Sequence, residues 1–203
     1  MMKNKIKVGP YLFPMPVVLV GANVNGKPNF EPLAFVGIVE HKPPLISIAS
    51  YETHYTNIGI KENGTFSVNT PSEGMIEVTD YCGLHSGKEV DKSEIFELFY
   101  GELKTAPMIS HAPLNLECKV IKTIITKKIT GAEQSHEIFI GQIMHAYADE
   151  YYLTDVNPDP EITVLRPDIR KLNPILYSID NYYWKLSDNI GKAFVIGNNY
   201  KKE

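Results

Sequence analysis

Two short segments of the chain combine side chains that could bind a phosphate group. The first, His54-Tyr55-Thr56-Asn57, places a hydroxyl and an amide where a helical pattern begins. The second, Ser86-Gly87-Lys88 followed by Asp91-Lys92, is a loop rich in hydroxyl, glycine and lysine. Backbone amides at a helix N-terminus, hydroxyls and cations all stabilise a phosphate dianion. The same residues also have ordinary structural uses, because hydroxyls cap helices and most loop lysines are solvated.

The histidines and cysteines do not suggest a metal site. The six histidines form no HxH or HExxH pattern, and Cys82 and Cys118 lack metal-ligand spacing. Two cysteines are too few for a disulfide framework, which predicts free thiols and a reducing cytoplasm. Cys82 lies on the apolar face of a predicted helix, where a free cysteine is more often a small buried residue than a redox thiol.

The composition is that of an ordinary globular protein. The chain has 203 residues, 43% hydrophobic and 22% charged, which predicts one domain over residues 1–203 with a substantial core. A net charge of −4 argues against nucleic acid as a partner. No stretch approaches the roughly 20 apolar residues of a membrane span, and prolines interrupt the first 16 residues, so we expect neither a membrane anchor nor a signal peptide.

The first third of the chain reads as a β meander followed by a short helix. A β-branched run from 17 to 24 meets Asn25-Gly26, the pair best suited to a tight hairpin turn. Apolar runs at 34–39 and 45–49 flank two consecutive prolines, which predicts two more strands. A helix is predicted from Thr56, as N-cap, to a stop at Gly64, and a strand follows at 66–70.

The rest of the chain alternates short helices with longer strands. Helices are predicted at 72–83, capped by Ser72, and at 92–99. Regular alternation at 114–120 predicts a half-buried strand, paired with 138–147 across a turn at Gly131. The aromatic and aliphatic tail at 182–197 is too apolar to remain free, so it should dock on the body or on a second chain. Together these elements predict a mostly β protein, an antiparallel barrel with short helical insertions.

Several motifs in order resemble those of a known family. They are Asn29-Phe30-Glu31-Pro32-Leu33-Ala34, the run from Pro43 to Ser50, His54 to Asn57, Phe66 to Asn69, Asp80 to Gly83, Ser86 to Lys92, His136 to Ile143 and the ending from Tyr182 to Phe194. From about residue 11 to residue 197 the chain resembles the flavin reductase-like family of FMN-binding split barrels, and especially its flavoredoxin-like branch.

This resemblance implies a fold, a cofactor and a set of binding residues. The implied fold is an antiparallel split β-barrel with a C-terminal docking tail, and the implied cofactor is FMN. The resemblance assigns the flat flavin ring to Asn29, Pro32, Ala34, Ser47, Ala49 and Ser50. It assigns the phosphate segment to His54, Tyr55, Thr56 and Asn57, and the second flavin-contacting loop to Ser86, Gly87, Lys88 and Lys92. Asn69 and Cys82 are further residues expected to bind the cofactor. His136 would line the position of a nicotinamide substrate.

Each of these residues also has a simpler interpretation. Asn29 and Asn69 fit turns and strand ends, and His136 fits a backbone hydrogen bond at the start of a strand. One departure from the family matters, because its members often carry an arginine just before the threonine of the phosphate segment, where this chain has His54-Tyr55. A neutral histidine is a poor substitute for a fixed cation. We therefore expect Lys88 or Lys92 to balance the phosphate.

Three function classes follow from this resemblance and from the residues. The leading one is a cytoplasmic, homodimeric FMN protein that transfers reducing equivalents from NAD(P)H or a redox protein to flavin or a downstream acceptor. In such a site the cofactor performs the chemistry, and the protein orients it. The alternative is an FMN electron carrier with a protein donor and no NAD(P)H reductase activity. A third class, a small-barrel module that binds oligonucleotides, is disfavoured by the acidic balance.

Overall fold

The structure is a computed structural model that describes residues 2–157, 159 and 161–199. Antiparallel strands make up most of it: β1 (Met15–Pro16), β2 (Val18–Val24), β3 (Lys27–Leu33), β4 (Val36–His41), β5 (Pro44–Tyr51), β6 (Thr65–Thr70), β7 (Leu98–Tyr100), β8 (Pro107–Ile109), β9 (Leu114–Ile125), β10 (His136–Ala148), β11 (Leu153–Asp155), β12 (Leu165–Pro167), β13 (Leu176–Ser178) and β14 (Tyr182–Trp184). The α-helices are α1 (Thr56–Asn63), α2 (Ile76–Leu84), α3 (Lys127–Thr130) and α4 (Ile169–Leu172), with 3-10 turns at Glu73–Met75, Lys92–Glu94, Glu150–Tyr152 and Ile196–Asn199.

A seven-stranded antiparallel sheet, in the order β3-β2-β6-β9-β10-β5-β4, forms the body. The hairpins β2–β3 and β4–β5 are close in sequence but lie at opposite ends of this order, because β6, β9 and β10 are inserted between them. The sheet curls so that β3 approaches β5, where the Ser50 hydroxyl donates a hydrogen bond to Glu31 Oε1 at 2.8 Å. We call this line of approach the seam. The predicted mostly β, antiparallel barrel with helical insertions is confirmed.

Local sequence signals account for the hairpins of the sheet. Asn25 and Gly26 both have positive φ, 51° and 77°, which the tight turn between β2 and β3 requires. Strands β9 and β10 pair along nearly their whole length, and the turn between them includes α3 and Gly131 at φ 69°. The predicted hairpins at Asn25-Gly26 and Gly131 are therefore confirmed.

The helices differ from the prediction in detail. Thr56 is not the N-cap of α1 but its first residue, and its hydroxyl accepts a hydrogen bond from Asn29 Nδ2 instead of capping the helix. Helix α1 does end at Gly64, in the left-handed region at φ 65°. Ser72 makes no side-chain cap, and α2 starts only after a 3-10 turn and continues to Leu84.

The helix predicted for 92–99 is wrong. Only Lys92–Glu94 forms a 3-10 turn, and the chain then becomes extended as β7, which pairs with β8. The apolar residues that suggested a helical face instead pack against the core from a short hairpin. Pairing of β7 with β8, which lies further along the chain, therefore determined the structure here, although the local spacing of apolar residues favoured a helix.

The half-buried pattern predicted for β9 is wrong at two of its polar positions, whereas Lys119 is exposed as expected. Asn115 and Glu117, expected on the solvent face, are 3% and 0% exposed, because the segment 101–112 covers that side of the sheet. Asn115 Nδ2 donates to Asn69 Oδ1 at 2.8 Å and to the Ile109 carbonyl at 2.9 Å. Glu117 accepts the amide of Leu103 at 3.0 Å. Both faces of β9 are buried around Asn115 and Glu117, so the alternation of polar and apolar residues did not mark a solvent-exposed face.

Two apolar clusters lie on opposite faces of β2. Val18 and Val20 belong to the cluster inside the barrel, with Phe66 and Phe139 among its members. Leu19 points the other way, into a cluster beneath α2 that includes Phe30, Met75, Cys82 and Ile109. Each cluster positions one wall of the seam.

The C-terminal segment is tied to the body only at its start. Tyr183 donates to Asp80 Oδ1 at 2.8 Å, and Lys185 pairs with Glu73 at 3.3 Å. Beyond them, Ile190 and Phe194 are 94% and 103% exposed. These two residues do not pack on the body, so of the two docking surfaces expected for the tail a second chain remains for them, and this stays a prediction. Within the described part of the chain, no helix has the length and apolarity needed to cross a membrane.

Candidate cofactor-binding site

A cleft of about 450 Å³ opens at the seam, between the start of α1, the end of α2 and the loop that follows α2. Many of the residues predicted for the cofactor line it: Asn29, Pro32, His54, Tyr55, Thr56, Cys82, Ser86, Gly87 and Lys92. Lys88 lines an adjoining cleft of about 220 Å³, which shares Asn29, Tyr55, Gly87 and Lys92 with the first. The two predicted phosphate segments therefore face each other across one space.

The start of α1 presents polar groups to this cleft. Asn29 Nδ2 donates to Thr56 Oγ1 at 2.7 Å, while the buried Asn29 Oδ1 has no hydrogen-bond partner among the described residues. Gly87 approaches Asn29 so closely that a Cβ there would overlap Oδ1. A buried acceptor without a donor costs free energy, so Asn29 Oδ1 suits a ligand that brings a hydroxyl or N–H group. Only glycine fits against Asn29 at this point of the cleft wall.

A network of side-chain hydrogen bonds holds this end of α1 against the sheet. Asn57 Nδ2 donates to the Tyr51 carbonyl at 2.9 Å and to Glu137 Oε2 at 3.1 Å. Lys61 Nζ donates to both oxygens of Glu137, at 3.0 and 3.1 Å. Asn57 is 1% exposed and does not line the cleft, so the structure gives it a positioning role.

A carboxylate that the sequence reasoning quoted but did not select lies at the centre of the seam. Glu31 Oε2 is 2.7 Å from His54 Nδ1, and its other oxygen accepts from Ser50, which itself lies 3.1 Å from Nδ1. The hydrogen bond that His54 donates to Glu31 and the negative charge of Glu31 raise the pKa of His54, although burial and the charge of Lys92 act in the opposite direction. The cleft also includes Thr53, Gly83, Leu84, His85 and Glu89, which the sequence reasoning missed. A signal for Glu31 existed, since it stands between Phe30 and Pro32 in an otherwise buried strand.

The two candidate lysines have different surroundings. Lys92 is 3% exposed, and its ammonium donates to the carbonyls of Phe30 at 2.9 Å and Cys82 at 2.6 Å. Burial lowers its pKa, opposed by the thiolate form of Cys82 and by the carboxylate of Glu31. Lys88 is exposed in its loop. Lys92 is therefore a fixed cation of the cleft wall, whereas Lys88 is an exposed side chain in the adjoining cleft.

Comparison with known proteins now identifies the family. A model of the flavin reductase-like domain matches residues 11–182. The chain belongs to the flavin reductase-like family. It is 45% identical to a flavoredoxin from Methanosarcina acetivorans, with a TM-score of 0.84 over 96% of this chain and 98% of that one. It is 30% identical to the flavoredoxin of Desulfovibrio vulgaris, with a TM-score of 0.82 over 97% and 100%. A protein of Archaeoglobus fulgidus is 30% identical over 73% of this chain and 80% of its own length.

This flavin reductase-like chain places the other predicted residues outside the cleft. Asn69 lies in the core, where its amide donates to the Leu19 carbonyl and Ser67 and accepts from the Ile109 amide and Asn115. Its hydrogen-bonding capacity is used by the protein, so the geometry does not support a ligand role. Ala34, Ser47 and Ala49 lie near the edge of the sheet and are half-buried, so their contact with a flavin ring stays a prediction.

His136 belongs to an aromatic row that leads away from the cleft. The ring of Tyr51 is 5.9 Å from His54 and 5.3 Å from His136, which in turn is 5.6 Å from Phe35. We call these four side chains the aromatic row. It runs from the cleft toward β4, beside Ala49. His136 is therefore connected to the site through packing and does not line the cleft itself.

Cys82 has the properties of a packed side chain. It is 2% exposed, and burial raises the pKa of its thiol to about 11. A thiol with such a pKa is almost entirely protonated near pH 7 and is a poor nucleophile. Its carbonyl, which holds Lys92, contributes more to the site than its sulfur.

Proposed function

We propose that the protein is an FMN flavoprotein of the flavoredoxin type that transfers reducing equivalents. Membership of the flavin reductase-like family and the likeness to two flavoredoxins support this proposal. The observation that carries it is the meeting of Asn29, Thr56 and Gly87 with the buried ammonium of Lys92 in one cleft. When bound, FMN supplies the redox chemistry, and the protein contributes binding and orientation.

The residues present fit the phosphate end of FMN. At the start of α1 the amides of Asn57 and Ile58 already donate to the carbonyls of His54 and Tyr55, so the group that this turn offers to the phosphate is the hydroxyl of Thr56. Lys92 supplies a cation whose position is fixed, because its ammonium group donates hydrogen bonds to two backbone carbonyls. Asn29 Oδ1 supplies an acceptor for a hydroxyl of the ligand. Together they would hold the phosphate and the adjoining chain in the cleft.

The flavin ring would lie along the aromatic row. This row continues from the cleft toward β4, with the ring of His136 at 83° to that of Tyr51 and at 42° to that of Phe35. A planar flavin ring would make face or edge contacts with these side chains, and backbone groups of β4 and β5 would meet its polar edge. His136 would then stand beside the ring, where a nicotinamide could approach.

Release of the cofactor tests this proposal directly. The purified protein should be yellow, and acid or heat should release FMN that chromatography separates from FAD and riboflavin. A colourless protein that takes up no added FMN would contradict the proposal.

The electron donor divides the proposal into two versions. In the reductase version NADH or NADPH bleaches the flavin band near 450 nm under anaerobic conditions, and in the carrier version only a redox protein or a chemical reductant does so. The 45% identity to a flavoredoxin favours keeping the carrier version as the alternative. Anaerobic spectra before and after each nucleotide, with dithionite as the positive control, distinguish the two.

A homodimer is part of the proposed function. The tail exposes Ile190 and Phe194, and the sheet edge β4 exposes Ile38 and Val39, which together leave more apolar surface uncovered than a monomer usually has. Light scattering should give twice the 22.9 kDa of one chain. Exchanging Ile190 and Phe194 for serine should shift it toward the monomer, whereas Ser187→Ala in the same tail should not. Two reduced, buried cysteines fit the proposed cytoplasmic location.

A further inference from the structure

His54 has a hydrogen-bonding arrangement that controls which of its ring nitrogens loses a proton. Nδ1 lies 2.7 Å from the carboxylate of Glu31, whose side chain is only 8% exposed. The single hydroxyl hydrogen of Ser50 is donated to the other oxygen of Glu31, so Ser50 cannot donate to Nδ1. Nδ1 therefore keeps its hydrogen for Glu31, and the proton that leaves on titration is the one on Nε2.

The second ring nitrogen is available to the cleft. The His54 side chain is 42% exposed and lines the cleft beside Thr56, and its Nε2 has no hydrogen-bond partner among the residues that the structure describes. A protonated Nε2–H is a charged donor, whereas a neutral Nε2 presents a lone pair. Phosphate oxygens are acceptors, so deprotonation replaces an attractive contact with a repulsive one.

We propose that the imidazolium of His54, positioned by Glu31 and Ser50, helps to hold the phosphate of the flavin, so that retention of FMN depends on pH. This inference rests on the proposed FMN function. Glu31 on β3 and Lys92 on the 3-10 turn carry opposite charges, so protonation of His54 decides whether this cluster is neutral or positive. The other ionisable groups that face His54 or share its cleft are Tyr51, Tyr55, Cys82, His85 and Glu89.

The direction of the pH dependence follows from two titrations. The pKa of His54 is raised above 6.5, chiefly by its hydrogen bond to Glu31, so the imidazolium persists to higher pH than in an unperturbed histidine and is lost as the pH rises through the raised pKa. The second pKa of a phosphate monoester is about 6, so the ligand carries its full dianionic charge only above that point. FMN should bind most tightly between these two values and more weakly above the pKa of His54.

Riboflavin provides an internal reference, because it has the same ring and no phosphate. Titrating the apoprotein with each flavin by fluorescence between pH 6.5 and 9 gives the ratio of the two dissociation constants. In the native chain the preference for FMN should fall about tenfold across this range, the size expected for one charged hydrogen bond at a partly exposed site. In His54→Gln the preference should be lower and independent of pH, whereas His111→Gln, at an exposed histidine outside the cleft, should behave like the native chain.

The positioning role of Glu31 has a separate signature. Glu31→Gln should move the fall in FMN preference to lower pH, because the imidazolium loses its carboxylate partner. By NMR of the native chain, FMN should raise the pKa of His54 more than riboflavin does, and this measurement needs no variant. A preference for FMN that is constant with pH, or a fall that persists in His54→Gln, would overturn the inference while leaving the FMN function intact. If neither flavin binds, the proposed function itself fails.

Discussion

Gly59 is the point at which α1 lies against β2, and there is no space for a methyl group at this position. A Cβ at this position would overlap the carbonyl oxygen of Asn23, and it would lie 2.7 Å from the carbonyl carbon and 2.9 Å from Val24 Cγ2. The first two atoms are backbone and cannot rotate away. Gly59→Ala should therefore push the helix away from the sheet.

The expected free energy has two terms of opposite sign. In a helix, alanine is about 1 kcal/mol more favourable than glycine. Overpacking a close contact costs about 1–3 kcal/mol, and lifting α1 also breaks the hydrogen bond from Asn63 Nδ2 to the Asn23 carbonyl, at 2.7 Å, for about 1 kcal/mol more. We expect a net destabilisation of about 1–3 kcal/mol, with a fall in Tm of roughly 2–4 °C for each kcal/mol in a chain of this size. FMN affinity should fall as well, because the same helix carries Thr56.

Urea unfolding followed by circular dichroism measures the effect. Gly37→Ala on the edge strand β4 is the matched control, since a Cβ there meets nothing within 4 Å, and its stability should stay within about 0.5 kcal/mol of the native chain. If Gly59→Ala is as stable as the native chain or more so, helix propensity outweighs the contact and the reasoning fails.

Three further predictions concern the cleft. Gly87→Ala should weaken FMN at least tenfold and also lower Tm, because its Cβ would overlap Asn29 Oδ1 and lie 2.7 Å from Tyr55 Cδ1, which displaces two side chains that line the cleft; unchanged affinity by fluorescence titration contradicts this. Lys92→Met should weaken FMN about thirtyfold and riboflavin much less, whereas Lys88→Met should have a small effect; equal losses for both flavins would show that Lys92 does not serve the phosphate. With a pKa of about 11, roughly one Cys82 thiol in a thousand is ionised at pH 8, so iodoacetamide should label it slowly until urea is added, and rapid labelling of the folded protein would refute its burial.

The sequence predicted best those elements whose signals are local. The Asn25-Gly26 hairpin and the stop of α1 at Gly64 depend on positive φ, which particular residue types allow in any fold. The same holds for the groups that meet in the cleft, because Thr56 and Gly87 stand in short motifs. Only the resemblance to a family predicted that these two motifs bind the same cofactor, and in the structure both line one cleft.

Other features depend on contacts that no local pattern contains. Glu117 alternates like a surface residue, but the segment 101–112 folds over it. Glu31 and His54 are 23 positions apart, and they pair only because the sheet curls until β3 meets β5. The expectation that His54 would be a neutral and ineffective residue at the phosphate segment was reasonable without its partner. The buried carboxylate changes that chemistry.

The strand order of the sheet also determines when the site can exist during synthesis of the chain. Its walls come from β3 and from the segment after β5, which leave the ribosome early, but the β2–β3 and β4–β5 hairpins belong at opposite ends of the sheet. They reach their places only when β9 and β10, at residues 114–148, have been inserted between them. A nascent chain that ends before residue 148 therefore holds both phosphate segments without the seam that aligns them. FMN should bind only after β10 has been synthesised and paired, so FMN should not stabilise shorter nascent chains.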